Sequence, residues 1–381
     1  MKRKMICACC ALSLLFAGLC IPAGAERQSG QTQLLTLTAK DGVALTGKLD
    51  MPEEGEIGRL VIYVNGSGPN TYDNQRMYEG ETFRYYDVFA EELVKRGAAF
   101  FRASTRGVTP GEEPPLYPDI DEAAYRTYLP ENSVSDIGEW MAKLRENPRL
   151  KDAEIVLLGW SEGTIIAPLA AKAYPKEVAG LVLAGYCNDR MDEIFDWQQS
   201  GEPSMIFYGR CFDNDGDGRI SREEYDADPY DVVASVLGGA PFEGIDANGD
   251  GLITAEDFAL MLEPFKQAFY DAVERGDDQW LAENYTVRLT SGWFKAHSLL
   301  APNRETLPEL DLPIHIFHGT QDANCSVQGV YDIAERFAQL GKTNLTTHVY
   351  EGYDHDLLYS VYLIGGELPL AFEDLFDVLT Q

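Results

Sequence analysis

The sequence predicts an α/β fold, a mainly parallel sheet with helices on both faces and a mostly helical insertion late in the chain. Three observations carry that prediction. Short apolar runs alternate with helix-like stretches over residues 34–186 and again over 306–381. One such run, Ile155–Leu158, turns through Gly159-Trp160-Ser161-Glu162-Gly163 into Thr164–Ala171, which is rich in Ile, Leu and Ala. Between the two alternating regions, residues 188–305 lack strand pattern and carry two acidic, glycine-containing loops.

The elements follow in order. Lys2-Arg3-Lys4, the apolar Met5–Ile21 and the small residues Ala23-Gly24-Ala25 read as a signal peptide over 1–25, with no membrane anchor after it. Leu34–Ala39 and Ala44–Asp50 form a hairpin around Asp41-Gly42. Arg59–Val64 is a strand, Tyr86–Arg96 a helix, Ala99–Arg102 a strand and Val134–Asn147 a helix. The Ile155–Leu158 strand and its helix come next, then a strand over Gly180–Gly185 that closes a first core part, 26–187. After the insertion, 306–381 supplies a strand over Pro313–His318, a helix over Ile333–Leu340 and a last strand around His348.

A serine on a tight strand-to-helix turn is exposed at the carboxyl edge of a sheet, with a helix amino terminus behind it. The flanking Gly159 and Gly163 fit, because side chains there would strike the neighbouring strand and helix. Ser161 is therefore the candidate nucleophile. Of the five histidines (His297, His315, His318, His348, His355), His355 lies in a loop after the last strand and is the candidate base. His348 sits within a strand-like run, so its ring is expected on a sheet face. Asp322, in the loop after Ile314–Phe317, is the candidate acid, with Asp354 and Asp356 as rivals by proximity. The strand Arg59–Val64 runs into Asn65-Gly66-Ser67-Gly68-Pro69-Asn70, whose glycines allow backbone amides close to a ligand. The amide of Ser67, or of Gly66, together with that of Glu162, would bind an oxyanion.

Residues 213–224 and 246–257 each fit a twelve-residue calcium loop. In the first, Asp213, Asp215 and Asp217 supply early side-chain oxygens. Arg219 offers its carbonyl, Ser221 the ninth position and Glu224 a bidentate close. In the second, Asp246, Asn248, Asp250, Leu252 and Thr254 take the same places, and Asp257, one methylene shorter than glutamate, closes it. The pair resembles EF-hands or dockerin repeats, and Asp257–Glu274 continues as a helix. Phe195, Trp197, Met205, Phe207, Tyr208, Trp280, Trp293 and Phe294 serve either as the insertion's own core or as walls of a pocket.

The ordered pieces DGVALTGKLDMP (41–52), NGSGPN (65–70), FFRASTRG (100–107), GWSEG (159–163), HGTQD (318–322) and YEGYDH (350–355) together resemble the α/β-hydrolase superfamily, particularly bacterial esterase-like members with a GSGP loop. The resemblance covers about 34–186 and 306–381. It implies the α/β-hydrolase fold, with 188–305 as a lid. It also implies a serine hydrolase acting on a small carboxylic ester, with no organic cofactor and with calcium in a structural or regulatory part. Two positions depart from it: Trp160 stands where many relatives have His, and Ser104-Thr105 where they often have Asp. Peptidase and thioesterase chemistry use the same parts. A rival of another class is a calcium-dependent surface-binding protein, against which the internal position of the loops argues.

Hydrophobic content of 45% with 24% charged residues is globular composition. A net charge of −31 repels nucleic-acid phosphate and anionic lipid headgroups. Four of the seven cysteines lie in the expected leader. Cys187, Cys211 and Cys325 do not form a disulfide framework, and they leave open either one Cys187–Cys211 bridge or three unpaired thiols. Export to a secreted or extracytoplasmic location is the expectation.

Overall fold

The computed structural model describes residues 30–78, 80–115 and 117–381; the expected leader lies outside the described residues. Its main sheet has strands β1 (Gly30–Thr38), β2 (Ala44–Pro52), β3 (Arg59–Val64), β4 (Ala99–Ala103), β5 (Glu154–Trp160), β6 (Val178–Ala184), β7 (Ile314–Gly319) and β8 (Leu345–Tyr350). They lie in the spatial order β1-β2-β4-β3-β5-β6-β7-β8. The β1–β2 and β2–β4 pairs are antiparallel, and every later pair is parallel. Strands buried on both faces explain the unbroken apolar runs. In β3, Leu60 and Ile62 face one core while Val61 and Tyr63 face the other.

Helices α1 (Asp87–Lys95), α2 (Pro130–Leu144) and α3 (Gly163–Ala173) belong to the first core part. The segment between β6 and β7 holds α4 (Met191–Gln198), α5 (Glu202–Phe212), α6 (Ala255–Arg275) and α7 (Ser291–Ser298), among shorter turns. Helices α8 (Gln328–Gln339) and α9 (Leu370–Thr380) complete the second part. Helices α2, α3 and α8 pack one face of the sheet through Trp140, Ile166 and Ile333. The other face is covered by α1 and α9 through Phe89, Phe372 and Phe376. Helix α8 begins five residues before the stretch its periodicity suggested, and α9 was not foreseen, although Phe372, Leu375, Phe376 and Leu379 repeat at helical spacing.

Two hydrophobic clusters divide the segment between β6 and β7. Tyr208, Phe212, Ile220, Tyr225, Phe242, Ile253 and Phe258 surround the two acidic loops as a small module. Phe195, Phe269, Trp293 and Phe294 instead pack with Tyr125, Tyr128, Ile165, Cys187 and Cys325, joining the segment to the sheet's carboxyl edge. The aromatic set therefore splits: Phe207 and Tyr208 are module core, whereas Phe195, Trp293 and Phe294 bind the module's neighbourhood to the rest. Among the described residues no helix is long and apolar enough to cross a membrane.

Candidate active site

Ser161 follows β5 at φ +55°, a left-handed backbone that few serines adopt. The turn allows nothing larger than glycine beside it. A Cβ on Gly159 would lie 2.3 Å from the Gly163 carbonyl oxygen, and one on Gly163 would lie 2.1 Å from the Val64 oxygen. The turn is held by the Ser161 amide donating to Ala184 O (2.9 Å) and by the Thr164 hydroxyl donating to Ser161 O (2.7 Å). Trp160 points beneath the site. It packs against Phe372 at 6.0 Å and donates its indole N–H to His355 O at 3.3 Å, so Trp160 supports the loop that carries His355.

Asp322 and His355 come together. His355 Nδ1 lies 2.7 Å from Asp322 Oδ2, which leaves Nε2 to accept a proton. The other Asp322 oxygen accepts the amides of Asn324 (2.7 Å) and Cys325 (2.9 Å). Burial works against the Asp322 carboxylate, but the charges of the His355 and His318 rings and these hydrogen bonds outweigh it and hold its pKa below the usual range. Burial also pulls His355 down. The Asp322 charge and hydrogen bond, with Asp356, overcome it and raise His355 to about 9. Ser161, His355, Gly66, Ser67 and Glu162 line one cavity of about 290 Å³, with Met191, Ile194 and Phe195 as its apolar side. Ser161 Oγ makes no hydrogen bond among the described residues.

The rival acids do other work. Asp354 caps a turn, accepting the amides of Asp356 and Leu358, and Asp356 lines the cavity without touching His355 Nδ1. His348 stacks on Phe317 (4.2 Å) and approaches His315 (3.2 Å) on the sheet face.

The Asn65–Asn70 loop lies against the elbow. A Cβ on Gly66 would sit 3.2 Å from both Ser161 Cβ and Trp160 O. Asn70 Nδ2 donates to Gly66 O (2.9 Å), and the Thr105 hydroxyl donates to Gly68 O (3.0 Å). Ser104 Oγ accepts the Tyr72 amide at 3.0 Å. Thr105 thus fastens this loop, and Ser104 the residues just after it.

Three contributors escaped the sequence reading. His318 accepts the Tyr186 amide at Nδ1 (3.0 Å), and its Nε2, donating to Cys325 O (3.1 Å), lies 3.5 Å from Asp322 Oδ2. Burial lowers its pKa against the pull of the Asp322 charge. Gly185, at φ +59°, makes room for the base, because a Cβ there would lie 2.7 Å from the His355 ring. The Glu162 side chain is buried behind the elbow, although only its amide was considered. A tight approach between distant segments leaves no local pattern to detect.

Of the two cysteine alternatives left open, the structure has three unpaired thiols. Cys187 Sγ lies 3.3 Å from Cys325 Sγ, both are buried and unbridged, and Cys211 sits apart in the acidic-loop module. Cysteines that neighbour each other along the chain were separated by their different hydrophobic clusters.

The two acidic loops have matching geometry. Asp213 accepts the amides of Gly216 and Gly218 (2.7 and 2.9 Å), and Asp246 those of Gly249 and Gly251 (2.9 and 3.0 Å). Glu224 accepts from Asn214 N and Ser221 N, both at 2.8 Å. Asp257, despite its shorter chain, accepts from Asn248 N (3.1 Å) and Thr254 N (2.8 Å). Ile220 and Ile253 pair across a short antiparallel ladder. Oxygens of Asp213, Asp215 and Glu224 lie within 4.8 Å of one another. An all-oxygen set of carboxylates on loops that turn at Gly218 (φ +81°) and Gly251 (φ +90°) suits calcium.

The EF hand family model matches residues 210–227 and 242–262. No curated protein matches the chain. Among solved structures, a carboxyl esterase from Bacillus coagulans, in complex with glycerol, superposes with a TM-score of 0.53 at 15% identity, over 92% of this chain and 96% of that one. An acylaminoacyl peptidase in complex with Z-Gly-Gly-Phe-chloromethyl ketone gives 0.50 at 12%, over 92% of this chain. A Pyrococcus horikoshii acylaminoacyl peptidase gives 0.49 at 13%, over 93% of this chain. This chain spans 41% of the length of each peptidase. The sheet order and the likeness to the Bacillus coagulans esterase give an α/β-hydrolase fold.

Proposed function

We propose that the chain is an exported serine hydrolase that cleaves a small carboxylic ester through Ser161, His355 and Asp322 and an acyl-enzyme. One observation carries the reading: the 2.7 Å Asp322–His355 bond opens onto the cavity where Ser161 stands on its strained turn. Ser161 Oγ attacks the carbonyl carbon while His355 Nε2 takes its proton. Collapse of the tetrahedral intermediate returns that proton to the leaving alcohol, and water repeats the sequence to free the acid. Asp322 fixes the Nδ1–H tautomer and stabilises the imidazolium. The Glu162 amide and an amide of the Gly66-Ser67 turn hold the oxyanion. An apo serine–histidine bond that tightens only on substrate binding is ordinary for this chemistry.

The segment between β6 and β7 acts as a lid, since Met191, Ile194 and Phe195 from it wall the cavity. Asp213, Asp215, Asp217, Glu224 and their counterparts Asp246, Asn248, Asp250 and Asp257 would hold calcium, with the carbonyls of Arg219 and Leu252. Bound calcium supplies neutralising charge there and no step of the hydrolysis. Export rests on the basic and apolar residues before Glu26.

The test is fluorophosphonate labelling with hydrolysis of aryl esters, thioesters and peptides of graded acyl length. Ser161→Ala should abolish labelling and nearly all ester turnover while the fold persists. Labelling that survives the substitution would place the nucleophile elsewhere, and turnover of peptides above esters would replace the ester reading.

A further inference from the structure

The residue after Ser161 carries a carboxylate in an unusual place. Glu162 is 1% exposed, and the donors around it come from two separate parts of the chain. The Tyr128 hydroxyl, just before α2, donates to Oε2. Trp293 Nε1, on α7, donates to Oε1 at 3.1 Å. His297, one turn further along α7 and also 1% exposed, brings Nε2 to 3.0 Å from the same oxygen. That approach is off-axis for a hydrogen bond. The protonation follows from the neighbours. His297 Nδ1 faces the Trp293 carbonyl at 3.0 Å, an acceptor, so Nδ1 carries a proton. The His297 ring also stacks on Trp293 at 3.8 Å, which leaves it little freedom to turn away.

We propose that Glu162 is a positioning residue: its carboxylate, held by Tyr128, Trp293 and His297, couples the docking of α7 to the placement of the Glu162 amide that binds the oxyanion. The inference rests on Ser161 as nucleophile. Its physical basis is that side chain and amide share one Cα, immediately after a residue in a strained backbone state. A buried carboxylate left without its partners cannot stay where it is. When α7 withdraws, Glu162 must move toward water or toward another donor, and its amide moves with it. Misplacing a catalytic group by about 1 Å is enough to cost about 100-fold in rate. The interaction reads only the transition state, because the ground-state carbonyl does not need the amide as strongly.

The experiment compares kcat, KM and fluorophosphonate inactivation rate for the full chain on a short aryl ester. The variants are Glu162→Gln, His297→Phe, their double mutant and Trp293→Phe, each checked for fold by circular dichroism. Glu162→Gln and His297→Phe should each lower kcat by roughly 10–100-fold with KM within about threefold, below the cost of deleting an oxyanion donor outright. The inactivation rate should fall in parallel. The double mutant should be no worse than the worse single mutant, because both break one unit. Trp293→Phe keeps a smaller aromatic ring and removes one donor, so it is the variant to read if the charge-altering ones do not fold, and it should lower kcat by about 3–10-fold at unchanged KM. Unchanged kcat in folded variants, losses confined to KM, or losses that multiply in the double mutant would overturn the inference. Failure of the wild type to hydrolyse esters and label at Ser161 would instead overturn the proposed function.

Discussion

Ser161 can hold φ +55° only because Gly159 and Gly163 leave no side chain to collide with the backbone packed around them. The base is tuned by its neighbours in a way that predicts pH behaviour. His355 is raised to about 9, so it is an imidazolium across neutral pH and would have to lose its proton to act as the proposed base. The kcat/KM for a short ester should therefore rise with pH through an apparent pKa well above the ordinary ~6.5, approaching 9. A profile already flat by neutral pH would refute this. The linked stability has the opposite trend. Because the folded pKa is raised, the Asp322–His355 contribution is complete below ~6.5 and is lost as pH climbs through about 9. Gly185→Ala offers a second residue-scale check. The added methyl would press on the His355 ring and also meet φ +59°, so activity should fall about 100-fold while labelling of Ser161 slows in step.

At the scale of elements, the two acidic loops differ in what closes them. Both closing carboxylates cap the helix that follows, Glu224 through Ser221 and Asp257 through Thr254, but Glu224 is half-buried whereas Asp257 is wholly buried. Removing charge at each should separate two effects. Glu224→Gln should reduce the calcium-dependent rise in Tm more, since a glutamate can close the site with both oxygens. Asp257→Asn should lower the Tm of the calcium-free protein more than Glu224→Gln does, through a stability loss of about 1 kcal/mol, because its capping carboxylate is wholly buried. Thermal melts with calcium and with chelator distinguish them. A Tm indifferent to chelator would remove the structural part assigned to calcium. The thiols provide an independent element-scale test. Cys211 is half-buried, while Cys187 and Cys325 lie under α4 and the acid loop, so a maleimide should label Cys211 first and the other two only on unfolding.

The whole molecule joins its parts through one apolar seam. The module around Phe212 and Phe258 continues along α6, and Phe269 on that helix meets Phe294 on α7 at 4.9 Å. Helix α7 in turn touches Glu162 beside Ser161. Loosening the module by chelation should therefore reach the cavity wall before it reaches Ser161 or Asp322, which stand on the sheet. Hydrolysis of bulky acyl esters should fall more than that of acetyl esters when calcium is removed. Equal losses on both would leave calcium as a stabiliser of the fold alone. The proposed stabilisation is a mass-action effect, about 2.7 kcal/mol at a hundredfold excess over the dissociation constant.

The amino-acid sequence by itself determined the alternating α/β order, the Gly-Trp-Ser-Glu-Gly turn and the two twelve-residue loops. Each depends on residues close along the chain, where periodicity and glycine placement act directly. It also placed Asp322 and His355 in the loops after the last two strands, because strand ends are local features. Only the tertiary structure decided what crosses between those elements. It brought Cys187 to Cys325 rather than to Cys211, put His318 beneath Asp322 and cleared space at Gly185 for the His355 ring. It assigned Trp160 to the loop that carries His355, Thr105 to the Asn65–Asn70 loop and Ser104 to the residues just after it. It also buried the Glu162 carboxylate under Trp293 and His297, 131 residues away in the case of Trp293. Such contacts arise from how two faces pack, and no spacing within either segment encodes the distance between them.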